Sequence, residues 1–162
     1  MQSIAISDLI SATAGQAVAM GTRAITAGLT TDSRAVVPGS IFLALSGERF
    51  DANNFAAAAS ADAAAVVVSR LVGNYDPACT VSLVPDTLTA LQELALWWRG
   101  QLAPLHVVGL TGSSGKTSTK DMCLSVLSQR FNAIATKGNL NNHIGVPLSI
   151  LGTPQEIGRA HV

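Results

Sequence analysis

The chain has 162 residues, which is enough for one ordinary domain or two small ones. Hydrophobic residues make up 48% of it and charged residues 12%, which excludes an intrinsically disordered protein because so much apolar surface offsets the entropy lost on folding. Ten basic and ten acidic side chains leave no net charge, so we expect no nucleic-acid partner. No apolar run reaches about 18 residues and no basic segment opens the N-terminus, so we expect neither a membrane span nor a secretion signal.

The first half of the chain is predicted to form a small α/β unit that ends at residue 84. A short helix over residues 8–14 is expected to begin at a cap on Ser7 and to stop at Gly15. The alanine-rich stretch 55–65 also favours a helix. Three apolar or β-branched runs have the length of buried strands: residues 41–45, 66–68 and 81–84.

The second half is predicted to start at Pro85-Asp86, where Asp86 is a good helix cap. Apolar side chains then recur at helical spacing and are interpreted as core: Leu88, Leu91, Ala95, Trp98 and Leu102. This helix is expected to end before Pro104. Strands are predicted over residues 105–110 and 133–135, and helices over residues 116–130 and 144–151.

The strongest chemical signal is a glycine-rich loop between a predicted strand and a predicted helix: Gly109-Leu110-Thr111-Gly112-Ser113-Ser114-Gly115-Lys116-Thr117. Glycines allow backbone N–H groups to form a concave nest for phosphate oxygens, and the helix N-terminus adds its positive dipole end. Lys116 would supply a full charge to the outer phosphates, and the Thr117 hydroxyl is placed to bind Mg²⁺. The alternative is a strand-to-helix turn with an incidental Gly-Lys-Thr, and Leu110 stands where the usual pattern has a small residue.

The acidic metal ligand of such a site is missing from the sequence. A bound Mg²⁺ usually needs a carboxylate at the end of another strand. After Thr117 the chain offers only Asp121, inside the predicted helix, and Glu156 near the end, and neither follows a hydrophobic strand. The pattern therefore indicates the start of a nucleotide-binding domain.

Three stretches together resemble the Mur ligase family. Residues 31–51, with Thr-Asp-Ser-Arg, Pro-Gly and Gly-Glu-Arg-Phe-Asp, are similar to the family's N-terminal UDP-recognition module. Residues 111–122 are similar to its ATP loop, and residues 136–147, with Thr-Lys-Gly-Asn-Leu-Asn-Asn, to its substrate-facing loop. The resemblance covers nearly all of residues 1–155. The asparagine-rich loop together with Gly-Ser-Ser-Gly-Lys-Thr favours the branch of the family that adds D-alanyl-D-alanine.

The resemblance implies an α/β fold with a small UDP-recognition domain over residues 1–84. The truncated start of a P-loop-containing, mostly parallel-sheet ATP-binding domain is expected over residues 85–155. The implied reaction joins D-alanyl-D-alanine to UDP-N-acetylmuramoyl-tripeptide through an acyl phosphate, in cytoplasmic peptidoglycan precursor synthesis. The implied cofactors are ATP and Mg²⁺. The full-length enzyme is expected to be a monomer, and this chain alone is expected to be inactive.

Site residues follow from the same resemblance. Lys116 is implied as the catalytic residue that stabilises the transferring phosphoryl group, and Thr117 as a metal ligand. The implied ATP-binding residues are Thr111, Gly112, Ser113, Ser114, Gly115, Lys116 and Thr117. The implied substrate-binding residues are Ser33, Arg34, Arg49, Phe50, Asn139, Asn141 and Asn142. From the residues alone, Ser33-Arg34 also fits a turn-capping pair, and the asparagines fit Asx turns equally well.

Several positions depart from the family's pattern. Asn53 stands where relatives commonly have histidine, and it is given no role. Residues 156–162 do not resemble the family's next strand, and Ile157 to Val162 reads like a translated sequencing adapter, so this tail is expected to be non-native. Three other interpretations stay open: a sister ligase that adds an earlier amino acid, another P-loop NTPase, and a non-catalytic module that binds a UDP-sugar or nucleotide.

Overall fold

The computed structural model describes residues 4–47, 50–102, 105–136, 138 and 140–154. Within these ranges the helices are α1 (Ile6–Ala12), α2 (Asn53–Ala59), α3 (Thr87–Gln101), α4 (Lys116–Leu127) and α5 (Gly145–Leu151). The strands are β1 (Gln16–Ala19), β2 (Leu29–Thr30), β3 (Ile41–Leu43), β4 (Ser46–Gly47), β5 (Phe50–Asp51), β6 (Ala65–Val68) and β7 (Thr80–Leu83). None of the described helices is long and apolar enough to cross a lipid bilayer.

Five strands form one sheet in the order β1-β7-β6-β3-β2, and β4 pairs with β5 as a separate antiparallel hairpin. The contacts among β2, β3, β6 and β7 are parallel, whereas β1 runs antiparallel to β7. All four residues of β6 are fully buried, as expected for a central parallel strand covered on both faces. This sheet confirms the predicted α/β class.

The two faces of the sheet carry separate cores because successive strand residues point to opposite sides. Ile41 and Val67 face a core that contains α1, α3 and part of α5. Phe42 and Val66 face a second core, closed by the alanines of α2. The sheet therefore lies between two helical layers, and α2 is the layer that carries one group of predicted site residues.

Helix α3 confirms the predicted cap and the predicted apolar stripe. Asp86 Oδ1 accepts a hydrogen bond from Thr89 N at 2.6 Å. The stripe is buried except for Leu88, which is half-buried, and Leu94 joins it. The helix packs against α1 and α5, so it shares its core with the sheet that precedes it. The predicted domain boundary at residue 85 stays a prediction.

Helix α3 offers a test of the capping interaction. Acceptance of the Thr89 N–H lowers the pKa of Asp86, so its contribution to folding is present above the unfolded pKa of about 3.9 and is lost as pH falls through the lower folded pKa. Asp86→Ala is expected to lower the free energy of unfolding by about 1 kcal/mol at pH 7. The difference from wild type should shrink below about pH 4. Urea titrations at pH 7 and pH 3 measure both values.

The matched control is Asp86→Asn, which keeps an oxygen acceptor at the cap. It should cost less than the alanine variant at pH 7, and because Asn does not titrate, its cost relative to wild type should shrink as Asp86 of the wild type is protonated at low pH. Equal stability of wild type and Asp86→Ala at pH 7 would contradict the capping role.

Two predicted helix boundaries are wrong for local reasons. Helix α1 begins at Ile6 after Ala5, which provides no side-chain cap, and Ser7 lies inside the helix. Helix α2 ends at Ala59 because the chain must turn before it enters β6 at Ala65. The Arg23 guanidinium stabilises this turn by donating to the carbonyl oxygens of Ser60 and Ala63, at 2.6 and 3.1 Å.

The strands predicted over residues 105–110 and 133–135 do not form. Residues 105–115 and 132–136 have neither helix nor strand, and Val107 and Val108 are 63% and 66% exposed. An apolar run becomes a strand only where a neighbouring strand accepts and donates its backbone hydrogen bonds. No such neighbour lies beside these segments in the described part of the chain.

Candidate functional site

The glycine-rich loop is an exposed irregular segment that ends at the N-terminus of α4. Residues 109–117 are all exposed, and α4 begins at Lys116 as predicted. Gly112 and Gly115 have φ angles of +151° and +75°, which L side chains rarely adopt. A Cβ atom built on Gly109 or Gly115 would meet no atom within 4 Å, so the space beside the loop is open to a ligand.

The Lys116 side chain folds back over the loop that precedes it. Its ammonium group donates a hydrogen bond to the carbonyl oxygen of Gly112. The charge therefore lies at the mouth of the loop, beside the N-terminus of α4, where the helix dipole and unpaired N–H groups already favour an anion. Thr117 lies exposed in the first turn of the same helix.

Lys120 connects the phosphate loop's helix to the asparagine-containing loop. Its Nζ donates to the carbonyl oxygen of Thr136 at 2.9 Å, and its side chain is only 23% exposed. A second contact, to Asp121 Oδ1, measures 3.5 Å. Lys120 was assigned no role from the sequence. Its position one helical turn after Lys116 could have indicated that the two lysines lie on the same face of α4.

The asparagine loop leads directly into α5. Asn142 Oδ1 accepts from Gly145 N at 2.7 Å and from Ile144 N at 3.2 Å, which is the Asx-turn arrangement that the sequence left open. A Cβ atom at Gly145 would lie 2.5 Å from Leu140 Cα, so this close approach requires glycine. Asn141 is exposed. Asn139 lies outside the described residues.

Two of the predicted substrate-binding residues, Ser33 and Arg34, line an open pocket in the first half of the chain. Its lining encloses about 280 Å³ and consists of Ser33, Arg34, Val36, Phe55, Ala58, Ala59 and Asp62. Ser33 and Arg34 belong to a 3₁₀ turn, Ser33–Ala35, that Asp32 caps through Arg34 N at 3.0 Å. Asp32 is therefore the cap, and Ser33 and Arg34 lie in the capped turn at the pocket wall, so their binding of substrate stays a prediction.

Arg34, in the pocket wall, forms an ion pair with Asp32. Its guanidinium Nε and Nη2 donate to the two carboxylate oxygens of Asp32, at 2.9 and 2.8 Å. These hydrogen bonds lower the pKa of Asp32 to about 2. The Arg34 side chain is 88% exposed, so the guanidinium is accessible to a second anion.

An aromatic pair extends the pocket wall. The rings of Phe50 and Phe55 stack with centroids 5.5 Å apart and planes inclined by 14°. Both are exposed, Phe50 by 60% and Phe55 by 43%. Phe55 was missed by the sequence analysis, although a lone aromatic residue at the start of an alanine-rich helix was a signal. Arg49 lies outside the described residues.

Comparison with known proteins shows what this chain is similar to. The family described as "Mur ligase middle domain" matches residues 110–160, which include the phosphate loop and the asparagine loop. Over 141 residues, 82% of this chain, the sequence is 49% identical to the UDP-N-acetylmuramoyl-tripeptide--D-alanyl-D-alanine ligase of Escherichia coli strain K12. The chain is therefore similar to Mur ligases over most of its length. It spans about 30% of the length of that ligase.

Solved Mur ligase structures share the fold of this chain. A crystal structure of MurF from Acinetobacter baumannii matches with a TM-score of 0.87 at 39% identity, over 97% of this chain and 34% of that one. MurF ligase from Thermotoga maritima in complex with ADP matches with a TM-score of 0.68 at 36% identity, over 80% of this chain and 29% of that one. The Mur ligase resemblance drawn from the three motifs is thereby confirmed.

Proposed function

We propose that this chain is part of an ATP-dependent ligase that joins D-alanyl-D-alanine to UDP-N-acetylmuramoyl-tripeptide in the cytoplasm. The observation that carries the proposal is the open phosphate loop at the N-terminus of α4, held to the asparagine loop by Lys120. The phosphate loop precedes α4, and the asparagine loop is attached to the same helix through Lys120. This proximity fits a reaction in which a phosphoryl group passes from ATP to a bound carboxylate. The 49% identity to a ligase of that name supports it.

The proposed chemistry has two steps. The terminal carboxylate of the tripeptide takes the γ-phosphoryl group of ATP, which gives an acyl phosphate and ADP. The amine of D-alanyl-D-alanine then attacks the acyl carbon, the amide bond forms, and phosphate leaves. The amine loses one proton to solvent or a base in this step.

Lys116 and the loop perform the electrostatic part of this reaction. The inward-turned N–H groups and the dipole of α4 bind the phosphate oxygens. When ATP binds, the Lys116 ammonium exchanges the Gly112 carbonyl for the γ-phosphoryl oxygens. There it stabilises the negative charge of the transition state. Lys120 holds Thr136, at the start of the asparagine loop, against α4.

We propose that Mg²⁺ would bind together with ATP as its counter-ion. Thr117 supplies one hydroxyl in the first turn of α4, which suits the metal's preference for oxygen ligands. Among the residues that the structure describes, no three His, Cys, Asp or Glu side chains lie together as a metal site. Thr117 is therefore the one ligand that we propose from this part of the chain.

The experiment is a phosphate-release assay on the complete reading frame that carries this segment. Release is expected with ATP, UDP-N-acetylmuramoyl-tripeptide and D-alanyl-D-alanine together. Omission of either D-alanyl-D-alanine or UDP-N-acetylmuramoyl-tripeptide should abolish phosphate release. Release stimulated instead by L-alanine with UDP-N-acetylmuramate would assign the segment to a sister ligase.

A UDP-binding module without catalysis is the second candidate. The pocket at Ser33, Arg34 and Phe55 lies on the sheet-and-α2 unit, whose two cores are closed, so it can bind a ligand without the phosphate loop. Asp32 takes the Nε and Nη2 edge of Arg34, and the remaining exposed edge of the guanidinium suits a phosphate, while the stacked phenylalanines suit a base. Titration calorimetry of this chain with UDP and with ATP separates binding at the two places.

Arg34→Ala is expected to weaken UDP binding at least about tenfold, because a charge-assisted hydrogen bond to phosphate contributes about 1.5–3 kcal/mol. Calorimetric titration of wild type and variant measures the change in Kd. Arg34→Lys is the matched control: it keeps the charge without the two-pronged geometry and should recover part of the affinity. Equal Kd values for wild type and Arg34→Ala would remove Arg34 from the site.

A further inference from the structure

Asn53 is a fully hydrogen-bonded, buried side chain at the start of α2, and it is only 1% exposed. The two protons of its amide nitrogen are shared among three oxygens: Asp51 Oδ1 at 2.7 Å, Ser46 Oγ at 2.8 Å and Ser69 Oγ at 3.1 Å. Its amide oxygen accepts from Ser69 N at 3.0 Å. A buried amide is stable only when its polar atoms are paired in this way. Asn53 thus bonds two different parts of the fold at once.

The two parts are the β4–β5 hairpin and the end of the central sheet. Ser46 and Asp51 are paired across the hairpin, whereas Ser69 directly follows β6. The hairpin has just two residue pairs, Ser46↔Asp51 and Gly47↔Phe50, and such a short two-stranded ribbon is at best marginally stable alone. Its position therefore depends on the side chains that attach it to the sheet.

Asp51 completes the attachment on the hairpin side. It accepts from Ser46 Oγ at 3.0 Å, from Asn53 N at 2.9 Å and from Arg70 Nη2 at 2.6 Å. The hydrogen bonds from Arg70 and Asn53 hold the pKa of Asp51 well below its ordinary value. The carboxylate is therefore charged at neutral pH and continues to accept all of these bonds.

We propose that Asn53 is a positioning residue for the UDP pocket: it fixes the β4–β5 hairpin on the sheet so that Phe50 stacks on Phe55 beside Ser33 and Arg34. The proposal rests on the proposed UDP binding of that pocket. Phe50 is adjacent to Asp51 in β5, and its ring is 60% exposed, so few contacts other than the stack fix it. Loss of the attachment would free the hairpin, and UDP would then have to order it on binding.

The test is a double-mutant cycle on UDP affinity, measured by titration calorimetry of this chain. Asn53→Ala and Phe50→Ala should each weaken the Kd about tenfold, and the double variant should be no weaker than about tenfold, because both remove the same positioned ring. Additive losses, about a hundredfold in the double variant, would overturn the proposal. So would an unchanged Kd in Asn53→Ala.

Two further variants separate positioning from general destabilisation. Ser46→Ala removes one of the two hairpin-side partners of Asn53 at an exposed residue, so it should fold even if Asn53→Ala does not. It should weaken UDP binding about threefold, and not at all in the Phe50→Ala background. Ser69→Ala removes the sheet-side hydroxyl but keeps the hydrogen bond from Ser69 N to Asn53 Oδ1, so it should weaken UDP binding less than Asn53→Ala does. An unchanged Kd in both Ser46→Ala and Asn53→Ala would overturn the proposal.

Titration of the wild-type chain with UDP separates a failure of UDP binding from a failure of the positioning role. If the wild-type chain does not bind UDP, the proposed function of the pocket fails, and the positioning role fails with it. If the wild type binds UDP and the Asn53 and Ser46 variants bind equally well, the positioning role alone is wrong.

Discussion

Lys116→Ala is expected to lower the turnover of the proposed complete ligase at least about 10³-fold, the scale on which a charge that contacts the transferring phosphoryl group acts. In this structure the ammonium group lies over the phosphate loop with the Gly112 carbonyl as its partner, and it is surrounded by exposed residues. Removal of the side chain buries no group and opens no cavity. Steady-state phosphate release with all substrates saturating measures the loss.

Two controls make this result specific. Arg99→Ala removes a cation from an exposed place on α3 and should leave turnover within about twofold, because a distant surface charge is screened by salt. The thermal midpoint of Lys116→Ala should match that of wild type. A well-folded Lys116→Ala enzyme with turnover within about tenfold of wild type would remove Lys116 from the catalytic role.

Trp98→Ala is expected to destabilise the fold by about 3–5 kcal/mol, a large share of the stability of a small protein. Trp98 is 1% exposed in the core between α3 and the sheet. Its indole Nε1 donates to the carbonyl oxygen of Thr153 at 3.0 Å, just after α5. The variant therefore leaves a large cavity and an unpaired buried carbonyl. Urea unfolding of this chain, followed by circular dichroism, measures the change.

The neighbouring Leu96 supplies the matched control on the same helix. It is 60% exposed, so Leu96→Ala should change the free energy of unfolding by no more than about 0.5 kcal/mol. Trp98→Phe should cost less than Trp98→Ala, because it keeps most of the ring volume and loses the hydrogen bond. A Trp98→Ala chain as stable as Leu96→Ala would contradict the packing of α3 and α5.

Local sequence patterns determined the elements whose signals are contained in a few neighbouring residues. The cap at Asp86, the apolar stripe of α3, the buried triplet Val66 to Val68 and the start of α4 after Gly115 all follow from short-range sterics and hydrogen bonds. The Mur ligase motifs are of this kind too, because a phosphate nest needs a fixed order of glycines along one loop. These features could be read from the sequence without knowledge of the fold.

Tertiary structure decided what depends on partners distant in the sequence. The apolar run at residues 105–110 has strand composition, yet it is not a strand because no neighbour pairs with it in the described chain. Phe55 of α2 stacks on Phe50 of β5, and Asn53 is buried where Ser46, Asp51 and Ser69 converge around it. A side chain's role in such a cluster is set by three-dimensional pairing of polar and aromatic groups, which local sequence spacing does not encode.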